Sequence, residues 1–444
     1  MRYVWILIVI AMAVPVVRAP AISAAATRQA EMIPAGKILT LADCISLAFR
    51  NQPAVRQAAA QVDSGKGAVS QARSNLLPQV SVTSSTDLGG TGQSAGTSLS
   101  VGGSQLIYDF GRSRSGLTQA ERQLAASVAA LSGTKADVIL SVKQNYYGLL
   151  RTIRLVQVVE EDLKAREEHV AVAQERLKVG FAPKADVLKA AASVASARVN
   201  LIAARNNADQ TRVDLNTAMG VDVRNNTQIE DTTEPEIPVP DVDQAVDLAI
   251  KDRPEMHEAE EQVTAAEAAV KSAETGNLPE FSTSLSDKQN FGGQQAASKD
   301  SGGQRTPPKN SWGWTLDLSW HPWDSGLTRG AVTQARAQLV SDQESLYQVR
   351  QSVSGDVVAS RFSLLAAQEA LSAATAEVAS AKEDLDSATG RYQAGVGIFL
   401  EVLDAQAALL KAQVDELVAR YGLSIARAGL AHAVGATAGE GTYK

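Results

Sequence analysis

Trp312-Gly313-Trp314-Thr315-Leu316-Asp317-Leu318-Ser319-Trp320 alternates without a fault, every even position being large and apolar and every odd one small or polar. Successive side chains of a β-strand point to opposite faces, so the stretch predicts a strand with one apolar and one polar side. A strand lying on a soluble core would share that period. Three of the chain's five Trp within nine residues fit better with a lipid-facing row, aromatic at its borders, backed by an aqueous lumen. Trp312, Trp314, Leu316, Leu318 and Trp320 are the expected lipid-facing set. A weaker alternation sets Leu99 and Val101 against Ser98, Ser100 and Gly102, and flanking strands are expected near residues 79 to 87 and 280 to 287, after Pro78 and Pro279.

These strands belong to a duplicated unit. Leu47-Ala48 recurs as Leu248-Ala249, Pro53 as Pro254, Gln61-Val62 as Gln262-Val263, and Leu77-Pro78 as Leu278-Pro279, all at an offset of 201. Farther on the offset is 215, with Asp109 and Gly111 matching Asp324 and Gly326, Arg176 matching Arg391, Gly180 matching Gly395, and Gly220 matching Gly435. The change of 14 falls between residues 288 and 311, where Gly, Ser, Gln, Lys and Pro make a loop. The chain therefore divides into a segment 27–40, repeat 1 at 41–225, a linker at 226–241 with Pro235, Pro238 and Pro240, repeat 2 at 242–436, and a tail at 437–444.

Each repeat reads as helix, strand hairpin, long helix, tight turn and returning helix. Val128, Val142, Leu149, Val156, Leu163, Val170 and Leu177 form one seven-residue series, broken at Lys135. Val357, Leu364, Leu371, Val378, Leu385 and Tyr392 repeat it in the second copy. Such a seam winds helices into a left-handed coiled coil. A helix over residues 112 to 180 would be about 100 Å long, several times the thickness of a bilayer. The turns are Gly180-Phe181-Ala182-Pro183, with Pro183 suited to a first helical turn, and Gly395-Val396-Gly397. The returning helices carry Val187, Val194, Leu201, Ala208 and Leu215, and Val402, Leu409, Leu423 and Leu430.

Composition narrows the compartment and the class. Arg2, the apolar run Tyr3 to Val17 and Ala24-Ala25-Ala26 read as a signal peptide over residues 1–26, the run being shorter than the about 20 residues a spanning helix needs. No later apolar run reaches 18 residues, so a membrane-embedded form would have to be a barrel. Cys44 is the only cysteine and reads as a small buried apolar residue. A net charge of -7 argues against a nucleic-acid binder. Four strands cannot close a membrane barrel, since such barrels start at about eight. Two copies would leave little lumen, and three would give twelve strands.

These residues resemble the TolC family of outer-membrane efflux proteins over nearly the whole of the chain after the signal. The paired openings Leu47-Ala48 to Asn51-Gln52-Pro53 and Leu248-Ala249 to Asp252-Arg253-Pro254 carry the likeness. So does Arg391-Tyr392-Gln393-Ala394-Gly395 followed by Glu401-Val402-Leu403-Asp404-Ala405. The resemblance implies a mainly α fold with a membrane β-barrel: a homotrimer with a twelve-stranded barrel in outer-membrane lipid and a twelve-helix periplasmic tunnel. An equatorial belt would form from the inter-repeat and terminal segments. The implied partners are a periplasmic adaptor and an inner-membrane RND or ABC transporter, and the cargo is small molecules or, in type I secretion, an unfolded polypeptide. It also implies that Glu401 and Asp404 line a periplasmic aperture and that Asp186, Tyr392, Gly180 and Gly395 lie at contacts between the helical tips. Gly397 stands where a basic residue often supports that contact.

Other classes find little support. His169, His257, His321 and His432 are scattered, and His257-Glu258 has no second His in zinc-protease spacing. Gly90-Thr91-Gly92 and Gly65-Lys66-Gly67 lack the context of a nucleotide loop. No catalytic residue, cofactor or metal is expected. A soluble periplasmic adaptor would share the long heptads but not the Trp-alternating strand.

Overall fold

The computed structural model describes residues 37–87, 96–181, 183–232, 241–291 and 311–436. Residues 1–36, which include the expected signal peptide, the Pro-rich part of the linker, most of the 288–311 loop and the tail 437–444 lie outside them.

Repeat 1 opens with a two-residue strand β1 (Ile38–Leu39) and helix α1 (Leu41–Asn51). Thr40 and Asp43 close a reciprocal capping box at the helix start, the Asp43 N–H donating to Thr40 Oγ1 at 3.2 Å and the Thr40 N–H to Asp43 Oδ2 at 3.3 Å. The single first helix expected from the sequence is in fact two. Gln52 is extended at φ -64° and ψ 121°, and α2 (Pro53–Ser74) starts on the proline. Pro53 lacks the N–H that would continue the helix and disfavours helical backbone at the residue before it. Repeat 2 breaks at the same place, between α5 (Val242–Asp252) and α6 (Pro254–Glu274), with Arg253 extended at φ -74° and ψ 130°.

Strands β2 (Gln79–Asp87) and β3 (Gly96–Tyr108) form one antiparallel hairpin, and β5 (Glu280–Phe291) and β6 (Ser311–Ser319) the other. They join through β3 and β5 into one sheet of order β2-β3-β5-β6, so that β2 and β6 are its edges. Two corrections follow. Residues Lys288 to Phe291 continue β5 rather than opening the loop, because they pair with β3. Trp320 lies one residue beyond β6, where its indole N–H donates to the Asn277 carbonyl at 3.1 Å.

Helices α3 (Arg112–Lys178) and α7 (Leu327–Gln393) are each 67 residues long, about 100 Å at 1.5 Å per residue. Both begin at the same built turn. Phe110 and Gly111 take φ of 57° and 92°, Ser325 and Gly326 take 53° and 93°. The preceding carboxylate then caps the helix: Asp109 Oδ2 accepts from the Ser113 N–H and Asp324 Oδ2 from the Thr328 N–H, each at 2.7 Å. Returning helices α4 (Lys184–Met219) and α8 (Phe399–Ala433) complete the two hairpins. Pro183 sits one position before α4 and not in its first turn.

Near the sheet the helices line up in the order α2, α3, α6, α7; toward the tips the order is α4, α3, α8, α7. The heptad positions bury where neighbours exist. Val142, Leu149, Val357, Leu364 and Tyr392 are buried, while Val128 and Leu177, toward the ends of the first series, stay exposed. The largest core lies midway along α3, where Tyr146, Tyr147 and Leu149 meet Leu39, Cys44, Leu215 and Met219. Burial, with the nearby Asp43 charge, pushes the Cys44 thiol up to about 12, so it packs as an apolar group. At this level β1 pairs in parallel with β4 (Gln228–Ile229), and Tyr146 donates from its hydroxyl to the Glu230 carbonyl at 2.6 Å.

Helices α3 and α4 each contain an 18-residue window apolar enough to cross a membrane by length and composition, although neither holds an unbroken apolar run of that length. Alanine-rich packing faces raise that measure. The residues that bury on α3, such as Ala136, Ile139 and Leu149, bury against other helices of the same chain.

Candidate functional site at the sheet and the hairpin tips

Register fixes what each side of the sheet presents. Leu318 lies opposite Phe281 and Trp314 opposite Leu285; Leu285 lies opposite Gly103, and Val101 opposite Val82. One face therefore carries Val80, Val82, Val101, Phe281, Leu285, Trp314, Leu316 and Leu318 as a band running across all four strands. Trp312, at the level of Asp287, closes the band toward the long loop. Trp312 and Trp314 are 79% and 67% exposed. The opposite face is small and hydroxylic, with Ser284 2.6 Å from Thr315, whose hydroxyl donates to Asp317 at 3.0 Å. Among the described residues nothing covers the apolar band, and an exposed apolar surface of this extent marks a membrane or partner interface.

At the far end of the helices the two repeats turn alike. Gly180 and Gly395 have φ of 79° and 77°, which a side chain would strain. The Phe181 N–H donates to Arg176 O at 2.8 Å and the Val396 N–H to Arg391 O at 3.0 Å, closing matching helix C-caps. A Cβ on either glycine would meet nothing within 4 Å. Their positive φ shapes the two turns.

The side chains around the turns diverge. Arg176 reaches from α3 to the end of α7, donating from Nη1 to the Tyr392 carbonyl at 2.8 Å and from Nη2 to the Gln393 carbonyl at 3.0 Å. Its guanidinium also lies 4.6 Å from the Tyr392 ring centroid, so one cation closes the α7 C-terminus and stacks on its last aromatic. The Tyr392 ring packs against Phe399, centroids 5.3 Å apart, in a cluster with Ala173, Ala190, Val402 and Ala405. Its hydroxyl is buried and has no hydrogen-bond partner in good geometry among the described residues. Burial first, and then the negative charge of Asp186, hold that phenol above its ordinary range. Asp186 and Tyr392 are thus brought within electrostatic reach in one chain, but Arg176 makes the bonds there. The sequence reading did not single out Arg176 as a tip residue, although its match to Arg391 in the repeat was the available signal.

Glu401 and Asp404 stand on the first turns of α8, three residues apart and on one side. Val402, Ala405 and Gln406 turn the other way and are buried. Glu401 Oε2 is shut off from solvent and lies 3.0 Å from Arg391 Nη2, a contact made by charge. Asp404 is exposed. Gly397 fits closely under the turn, where a Cβ would come within 3.0 Å of Arg391 Cβ.

Farther from the tip, α3 and α8 share a buried polar contact that heptad reasoning did not find. Asp162 accepts from Arg166 Nε at 2.7 Å and from Gln406 Nε2 at 2.9 Å. Burial holds the neighbouring His169 imidazole below its ordinary value, against the opposing pull of Gln406.

A sequence profile described as "Outer membrane efflux protein" matches residues 44–221 and 245–436, one match for each repeat. The chain is 27% identical over 380 residues to "Protein CyaE" of Bordetella pertussis, covering 83% of this chain and 78% of that protein. It is 26% identical to the "Probable efflux pump outer membrane protein TtgC" of Pseudomonas putida, with 82% and 76% covered. Among solved structures it superposes on the outer membrane protein VceC of Vibrio cholerae with a TM-score of 0.76, 20% identity, and 89% and 96% of the two chains covered.

Proposed function

This chain belongs to the outer membrane efflux protein family, and on that premise we propose that it acts as one third of a closed export duct. It is a channel of the outer membrane of a Gram-negative bacterium with a TolC-like fold, and not an enzyme. The observation that carries the trimer reading is that both layers of the chain end in open edges in the same order. The sheet leaves β2 on one side and β6 on the other, and the helical row leaves α2 or α4 on one side and α7 on the other. In the assembly we propose, a repeat 1 edge meets a repeat 2 edge of another copy. Contacts between unlike edges build rings, and three copies give twelve strands around a lumen wide enough to conduct.

In that ring the apolar band faces outer-membrane lipid and the hydroxyl face lines the pore. The helices continue as a periplasmic tunnel whose tips meet a periplasmic adaptor and an inner-membrane RND or ABC transporter. Glu401 and Asp404 of three chains surround the aperture, where gathered carboxylates favour cations and hold back anions. The cargo is small molecules, a reading supported by relatives named as efflux pump components.

Reconstitution into planar bilayers tests this. The expected result is a cation-preferring conductance blocked by divalent ions, with both properties weakened when Glu401 and Asp404 are both replaced by Ala. Unchanged selectivity and block in the double variant would remove these residues from the pore.

A further inference from the structure

Resting on the aperture reading above, we infer that Arg391 sets the charge of the pore entrance by neutralising Glu401, leaving Asp404 as the carboxylate that selects ions. The two acids share one side of α8 but not one environment. Glu401 Oε2 is withdrawn from solvent and held 3.0 Å from Arg391 Nη2. Asp404 is exposed, with no ion pair or hydrogen bond among the described residues. A pair of opposite charges at contact distance has a field that falls off much faster than that of a lone charge. At physiological salt, where screening acts over about 8 Å, an ion in the lumen senses Asp404 far more than Glu401.

The fold keeps this arrangement in place. Arg391 sits at the last turn of α7, and its carbonyl accepts the N–H groups of both Val396 and Gly397, at 3.0 and 3.1 Å. The backbone that makes the hairpin turn thereby also delivers the guanidinium to the first turn of α8. Its repeat 1 equivalent, Arg176, is spent on the Tyr392 and Gln393 carbonyls instead, so only the second arginine is placed to offset an acid at the entrance.

Reversal potentials in a KCl gradient, with Mg2+ block recorded on the same channels, test the inference through Arg391→Gln, Glu401→Gln, Asp404→Asn, Arg391→Lys and the Arg391→Gln/Glu401→Gln pair. Removing the arginine alone is expected to raise the cation-to-anion permeability ratio about twofold and to strengthen block by releasing Glu401. Asp404→Asn is expected to lower the ratio by a similar factor, Glu401→Gln to lower it as well because it releases the Arg391 charge, and the paired variant, which keeps only Asp404, to return close to the parent. Arg391→Lys, which keeps the charge, should also stay close to the parent and shows that the turn tolerates replacement. If Asp404→Asn lowers selectivity while Arg391→Gln does not raise it, or if the paired variant stays as low as Glu401→Gln alone, the inference is overturned and the aperture reading stands. If no variant changes selectivity or block, the aperture reading fails and takes the inference with it.

Discussion

Helices α3 and α7 hold equivalent places in the two repeats and have the same length, yet they live in different surroundings. Sixteen residues of α3 are buried, among them Ile139, Val142, Tyr146, Tyr147, Leu149 and Leu150, against six of α7. Tyr147 and Phe362 occupy the same position of the repeat; the first is 1% exposed and the second 60%. Tyr347, Val340 and Leu327 on α7 are exposed as well. Helix α3 is inside the row wherever one looks, flanked by α2 and α6 near the sheet and by α4 and α8 near the tips, whereas α7 closes one end of the row at both levels. Unequal burial at equivalent aromatic positions, Tyr147 and Phe362, shows that the second copy of the unit does not finish its own packing. The missing neighbour of α7 is supplied, on the present account, by repeat 1 of the next copy.

The sharpest way to break this contrast is to change the equivalent pair. Tyr147→Ala opens a hole in the main core and is expected to cost about 3–5 kcal/mol of folding stability, within the range for large-to-small aromatic changes. Thermal or denaturant unfolding followed by circular dichroism reads it. Phe362→Asp is expected to leave helicity intact and to abolish or weaken assembly, seen as a shift toward monomer in detergent. Loss of helicity in the Phe362 variant, or normal folding of the Tyr147 variant, would erase the distinction between the two helices.

A smaller effect sharpens the same comparison at the repeat ends. Gly220 and Gly435 have φ of 68° and 85° and press against the breaks after α1 and α5. A Cβ at Gly220 would come within 2.8 Å of the Asn51 carbonyl carbon, but one at Gly435 no nearer than 3.1 Å to that of Asp252. Alanine is strained at both. Gly220→Ala is expected to cost about 1–3 kcal/mol and Gly435→Ala less, because the tighter site abuts the larger core. Equal melting shifts would mean that φ alone matters and that the two repeat ends are packed alike.

Much of this architecture was legible because it is written in periods. The two-residue alternation at Trp312 to Ser319 gave β6 and its apolar face, the sevenfold series gave α3 and α7, and the offsets of 201 and 215 gave the repeated order of elements. Pro53 and Pro254 were visible too, but as motif letters, and the helix breaks they cause were passed over. What a single-chain pattern could not supply was which repeat lies inside. Tyr147 and Phe362 look alike in sequence and differ only because α4, α8 and the β1–β4 pair crowd around α3. The tip was partly legible. Glu401, Asp404, Asp186 and Tyr392 stand together there, but the bonds are made by Arg176 and Arg391, whose different partners depend on which helix end each long side chain can reach. The Asp162–Gln406 contact joins residues 244 apart and breaks the apolar seam, so a search for apolar periodicity passes it by.

The central claim is closure by unlike edges, and native mass spectrometry of the protein released from detergent tests it most directly. Signal-processed chains should appear as trimers, and Phe362→Asp should move them toward monomers without loss of helical signal. A stable monomer of the parent protein with the same helical content, or a ring of two or four chains, would contradict the account.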